Sequence, residues 1–191
     1  MTFVQSFVAH RSIALATILM AALMPGSLDS QQPTKEYIYL GSRVIAVEVP
    51  QYKIVNKNSG KVLDVQGVSQ SNTALIQQWD YLGGANQQWQ LVAVDSMSTY
   101  YKIVSKNSGK VLDVQGVSTA NGALVQQYDY LAGANQQWQL VAVDSTYYRI
   151  VNKNSGKVLD VQGISTANGA LIQQWDYLGG DNQKWQLVAV Q

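Results

Sequence analysis

The chain has no cysteine and, in 191 residues, a single histidine, His10. The first absence excludes disulfides, thiol nucleophiles and Cys-ligated zinc. The second removes Ser-His-Asp triads, histidine metal sites and imidazole general bases from everything beyond the N-terminal segment. Charge is scarce too: 13% of residues are charged, and thirteen Lys and Arg against twelve Asp and Glu leave a formal charge of +1. Such a balance provides no field for a phosphate backbone or an anionic membrane, so nucleic acid is not an expected partner. Glutamate is missing altogether after Glu48. Poverty in charge is not disorder here, because 47% of the residues are hydrophobic and a core can be packed.

What is present is repetition. Three segments align almost letter for letter, starting YKIVNKNSGKVLDVQGVS at Tyr52, YKIVSKNSGKVLDVQGVS at Tyr101 and YRIVNKNSGKVLDVQGIS at Tyr148, with offsets of 49 and 47 residues. Each continues into QQWDYL or QQYDYL and then into ANQQWQLVAV or DNQKWQLVAV. A fixed period of this size signals stacked or radially arranged units. The repeats are bounded as 51–98, 99–146 and 147–191.

Within a unit the hydrophobic period is two. In Lys61-Val62-Leu63-Asp64-Val65-Gln66, Leu63 and Val65 share a face and Asp64 points to the other. The turn Lys57-Asn58-Ser59-Gly60-Lys61 separates two such stretches, so 52–56 and 61–66 read as a hairpin, its lysines as a solvated, solubilising turn. A turn cluster over 67–73 precedes a strand at 74–81, and the loop 82–86 leads to a strand at 88–94. Four strands per unit give about twelve. Short strands in three equal sets must hide their edges, and a propeller usually needs four blades or more. The pattern predicts an all-β protein: a β-trefoil of three four-stranded repeats with pseudo-threefold symmetry, preceded by a non-repeat N-terminal segment. Trp89, Trp138 and Trp185, with Leu91, Leu140 and Leu187 two residues on, are expected to meet in one shared core.

The strings Gln87-Gln88-Trp89, Gln136-Gln137-Trp138 and Gln183-Lys184-Trp185 carry the Gln-x-Trp signature, and each unit adds Leu-Asp-Val. By these motifs residues 51–191 resemble the ricin B-chain-like lectins. The resemblance implies a β-trefoil that binds carbohydrate, as a free lectin, a toxin subunit or a module attached to a glycoside hydrolase. It further implies sugar pockets made of an Asp after the first hairpin, a polar residue and an aromatic on the third strand, and the Asn before Gln-x-Trp. These are Asp64, Gln77, Trp79 and Asn86 in unit one; Asp113, Gln126, Tyr128 and Asn135 in unit two; and Asp160, Gln173, Trp175 and Asn182 in unit three. Gln87, Gln136 and Gln183 correspond to a residue that braces the pocket backbone. The chain departs from the family in the short loop between aromatic and Asn, which alters the pocket rim and leaves the preferred sugar open.

These residue types suit a pyranose, which has hydroxyls around its edge and C–H groups on one face. A carboxylate such as Asp64 accepts from two adjacent hydroxyls through its two oxygens, in charge-assisted bonds stronger than neutral ones. Asn86 and Gln77 donate and accept, and Trp79 is a rigid platform. Alternation along Ile76-Gln77-Gln78-Trp79 puts Gln77 and Trp79 on one face, while Asp80, Asp129 and Asp176 lie on the other and read as structural. Tyr128 gives unit two a smaller platform.

A hydrolase needs two carboxyl groups flanking one bond, one with a raised pKa, and normally builds them once. Acids recurring in triplicate suit a multivalent binder instead, so no enzyme, cofactor or metal is expected. The expected partners are glycans or polysaccharides, with a glycoside hydrolase acting in the same system. The rival class is a β-trefoil that contacts proteins, as an inhibitor or assembly surface.

The segment before the repeats divides into a leader over 1–30 and a linker or short β-hairpin over 31–50. Ser12 to Met24 is uncharged and largely apolar, too short to span a bilayer but fitting a signal-peptide core, which points to secretion. Tyr37 to Val49 alternates like a hairpin with Gly41-Ser42 at its turn.

Overall fold

The structure is a computed structural model that describes residues 35–40, 43–97 and 99–190. The apolar run Ser12–Met24 and the leader assigned to 1–30 lie outside the described residues. In the segment read as a linker or short β-hairpin, β1 (Lys35–Leu40) and β2 (Arg43–Glu48) form an antiparallel pair whose register matches Leu40 with Arg43.

Twelve further strands form one sheet. Unit one supplies β3 (Gln51–Asn56), β4 (Val62–Val65), β5 (Ile76–Trp79) and β6 (Trp89–Ala93). Unit two supplies β7 (Tyr101–Ser105), β8 (Val111–Val114), β9 (Val125–Tyr128) and β10 (Trp138–Ala142). Unit three supplies β11 (Tyr148–Asn152), β12 (Val158–Val161), β13 (Ile172–Trp175) and β14 (Trp185–Val190). The first and last strand of each unit pair around a ring, β3–β6–β7–β10–β11–β14, and β14 closes on β3 from Trp185↔Asn56 to Val190↔Gln51. Closure into a barrel removes the open edges of these six strands. The inner strands of each unit form hairpins, β4–β5, β8–β9 and β12–β13, that cap one end. Bridges Leu75↔Gln126, Leu124↔Gln173 and Gln77↔Leu171 knit the three caps in a cycle. This is the β-trefoil expected from the repeats.

The hairpin turn is fixed by its own sequence. Asn56 Oδ1 accepts from the amides of Asn58 and Ser59, and Gly60 sits at φ 70°, a left-handed conformation that glycine adopts without strain. The lysines flanking that turn are not merely solvated, contrary to expectation. Lys61 reaches Asp80 at 2.5 Å with its side chain only 15% exposed, and Lys57 lies 3.2 Å from Asp181. Asp80 is held in turn by Asn168 of unit three through its Oδ2 and its backbone amide, so the structural role read for this aspartate is to tie repeats together.

Trp89, Trp138 and Trp185 are fully buried in one cluster with Ile54, Leu63, Val65, Ile76 and their counterparts, and Leu91, Leu140 and Leu187 pack against it half-buried. Each indole N–H donates to a carbonyl, Leu63, Leu112 and Leu159, at 3.0–3.1 Å, which satisfies the one polar atom these rings bring inside. The cap strands are buried on both faces. Gln78 shares the face of Ile76, yet it is fully buried. It accepts from Ser59 Oγ at 2.7 Å and donates to the carbonyls of Ser165 and Ala167 at 2.9 Å. Gln127 joins unit two to unit one, and Gln174 joins unit three to unit two, by the same set of bonds.

Candidate functional site

In each unit the cap hairpin brings the expected residues together. The register Asp64↔Gln77 and Val62↔Trp79 places carboxylate, amide and indole along one face of β4–β5. A single 3-10 turn, Ala85–Gln87, delivers Asn86 to the same place. Asp64 Oδ1 accepts from Gln77 Nε2 at 2.9 Å, and its Oδ2 accepts from Asn86 Nδ2 at 2.8 Å. In units two and three, Asp113 and Asp160 accept from Gln126 and Asn135 and from Gln173 and Asn182, each at 2.8 Å. Gln136 adds a third donor to Asp113 at 3.0 Å.

These bonds correct one detail of the sequence reading. The carboxylate does not present two bare oxygens, because each already holds an amide hydrogen. A carboxylate has about four lone-pair sites, so each oxygen keeps capacity for a hydroxyl. The amides orient the group and leave Gln77 Oε1 and Asn86 Oδ1 as further acceptors. The three aspartates are 4–6% exposed, and burial pushes their carboxyls above the usual carboxylate range; the hydrogen bonds from Gln77, Gln87 and Asn86, and from their counterparts, pull the other way.

Gln87 braces the loop between platform and Asn86, as its position implied. It donates to the carbonyl of Asp80 at 2.8 Å and accepts from the amide of Leu82 at 2.7 Å. Gln136 and Gln183 repeat both bonds.

The result is three surface notches. That of unit one is lined by Asp64, Gln77, Trp79 and Asn86 together with Val68, Leu82 and Gly84, and encloses about 420 Å³. The notches of units two and three enclose about 230 and 480 Å³. The apolar rim residues escaped sequence reasoning. Val68, Val117 and Ile164 are 58–66% exposed and Leu82, Leu131 and Leu178 are 71–77% exposed. Their signal was an apolar residue inside each of two otherwise polar or small turn clusters. Val68, Val117 and Ile164 also stand at φ 54°, left-handed backbone that is sterically costly for a β-branched residue. Such outliers concentrate where a site demands them. Gly84 has a plainer reason: a Cβ there would come within 2.5 Å of Asn86 Oδ1.

Among the described residues no cluster of three or more His, Cys, Asp or Glu is arranged to hold a metal ion, and no helix is long and apolar enough to cross a membrane.

The sequence profile of the "Ricin-type beta-trefoil lectin domain-like" family matches residues 43–128 and 134–191. The chain belongs to this family. Among solved structures, this ricin-type domain is similar to ThreeFoil, a designed 3-fold symmetric protein, at 50% identity and TM-score 0.71 over 73% of this chain and 99% of that one. It is similar at 45% identity and TM-score 0.72 to an exo-β-1,3-galactanase from Clostridium thermocellum, over 76% of this chain but only 32% of the enzyme. A ricin B-like lectin of Macrolepiota procera, solved with lactose, shares 25% identity at TM-score 0.61 over 72% of this chain and 93% of that one. No curated protein matches the chain. Family and lectin neighbours together support carbohydrate binding in general and a lectin-type rather than an enzymatic fold.

Proposed function

We propose that this domain is a non-catalytic lectin or carbohydrate-binding module that engages glycans at its cap notches, multivalently where more than one is filled. One observation carries the reading. An oriented carboxylate, two amides and an aromatic face converge in one notch, and the set of residue types recurs in every repeat. The acceptors match the hydroxyl edge of a pyranose and the ring its C–H face. Among the described residues no second carboxylate lines any of the three notches, whereas glycoside hydrolysis uses a pair. The galactanase and lactose-bound neighbours make galactosides the first sugars to try, and a hydrolase working on the same polymer is the natural companion. Action outside the cell, where polysaccharide is met, goes with the apolar run at Ser12–Met24.

The test is retention of the full chain on immobilised lactose and β-1,3-galactan alongside mannose, xylose and arabinose polymers. Retention is expected for at least one sugar, to be lost when Trp79, Tyr128 and Trp175 are replaced together by Ala while the circular dichroism spectrum is kept. Binding to a protein partner that survives this replacement, with no glycan retained, would turn the assignment to a protein-contact trefoil.

A further inference from the structure

In units one and three the platform is tryptophan, and the residue facing it from the neighbouring repeat is glycine. Gly169 donates its N–H to the carbonyl of Gln78 at 2.9 Å, beside Trp79; Gly122 does the same to Gln174, beside Trp175. A Cβ on Gly169 would lie 3.7 Å from Trp79 Cζ3 and 3.9 Å from Gln77 Oε1. On Gly122 it would lie 3.6 Å from Trp175 Cζ3 and 3.9 Å from Gln173 Oε1. Each glycine therefore leaves open both the outer edge of the indole and the amide oxygen of the notch glutamine.

Unit two is built differently. The residue that donates to the carbonyl of Gln127, again at 2.9 Å, is Thr73, and the platform beside it is Tyr128. Thr73 stands at φ 69°, the same left-handed conformation as Gly122 and Gly169 at 84° and 83°. Glycine holds such a conformation freely and a β-branched residue does so against strain. The same backbone bond and the same conformation put the threonine Cβ in the space that the glycines leave empty, next to a ring that lacks the Cζ3 edge. Two observations agree with that placement. Among the described residues Gln126 Oε1 is buried without a hydrogen-bond partner, a condition not shared by Gln77 or Gln173. The unit-two notch encloses about 230 Å³ against about 420 and 480 Å³ for its counterparts.

We propose that Thr73, reaching across from unit one, closes the unit-two notch to saccharide, so that the domain has two working sites, in units one and three. The proposal rests on the lectin reading and refines it. The side chain denies a sugar hydroxyl the acceptor Gln126 Oε1 and takes up the space where a pyranose would extend past the smaller ring. Threonine with tyrosine and glycine with tryptophan are thus matched pairs, the first closed and the second open.

Site-resolved nuclear magnetic resonance tests this, with the Nε2 side-chain amides of Gln77, Gln126 and Gln173 as reporters during titration of the full chain with lactose. The amides of Gln77 and Gln173 are expected to shift and that of Gln126 to stay still. In the Thr73→Gly, Tyr128→Trp double variant all three should shift, and in the reciprocal Gly122→Thr variant the Gln173 amide should fall silent. Equal shifts at all three glutamines in the unaltered chain overturn the proposal alone, as does a Gln126 amide that stays still in the double variant. No lactose-dependent shift in any variant overturns it together with the galactoside reading.

Discussion

At the scale of single residues, the notches place groups where they are costly. A β-branched residue in left-handed backbone is destabilising by roughly 1–2 kcal/mol, and Val68, Val117 and Ile164 each accept that position. Asparagine tolerates the conformation, so Val68→Asn, Val117→Asn and Ile164→Asn are each expected to raise stability by about 1 kcal/mol while weakening glycan retention through loss of the apolar rim. Chemical denaturation paired with affinity chromatography checks both halves. The aspartates titrate in an informative direction as well. Burial raises Asp64, Asp113 and Asp160, so in the folded state they hold protons more tightly than in the unfolded chain. Their ionisation therefore opposes folding as pH rises through the folded values, and that part of stability is fully present only below the unfolded value near 3.8. On the proposed lectin reading the ionised carboxylate accepts from the sugar, so glycan affinity is expected to start falling on acidification before pH 3.8 is reached. Asp80, Asp129 and Asp176 behave oppositely, since lysine and asparagine partners lower them and their support of the fold is lost as pH drops below the ordinary carboxylate range. Titrating lactose affinity and unfolding midpoint over the same pH series separates the two sets.

At the scale of elements, the strands were legible because their period is two. The shared face of Gln77 and Trp79 follows from alternation, and the observed register adds Asp64 to it. What alternation cannot show is what lies against a face from a distant repeat. Gln78 falls on the inward face of β5 and looks like a misfit beside Ile76, until Ser165 and Ala167 of unit three arrive to accept its amide hydrogens. Lys61 likewise looked solvated because its partner Asp80 is nineteen positions away. The loop before Asn86 shows how tightly one element can depend on a single missing atom. Replacing Gly84 by Ala puts a carbon 2.5 Å from Asn86 Oδ1 and must dislodge an amide that Asp64 holds. Gly84→Ala, Gly133→Ala and Gly180→Ala are expected to impair their own notches at least tenfold in affinity while leaving the barrel folded, read by lactose titration against the thermal unfolding curve.

At the scale of the whole molecule, threefold repetition was visible in the sequence, and with it the barrel and caps. The inequality of the notches was visible only in part, as the smaller ring of Tyr128; the share of Thr73 was not, because the two lie in different units and only the folded cycle of caps sets them side by side. Avidity follows from the number of notches in use. A single shallow site of millimolar affinity provides on the order of 4 kcal/mol, and simultaneous engagement of a polymer could add a hundredfold or more in apparent binding. Replacing Trp79 alone by Ala is therefore expected to reduce binding to a galactan-coated surface far more than binding to free lactose, as surface plasmon resonance on the two ligand forms can measure. The seam between β14 and β3 has a further consequence. Val190 stands opposite Gln51, so the two ends of the repeat body already run side by side through a complete strand pair. That seam offers a place to join the chain, and the bend at Met97, which is 85% exposed, offers a place to open it. A circular permutant joined at the first place and opened at the second should fold to the same barrel and keep its ligand, making the starting point of the chain a matter of genetics rather than of architecture.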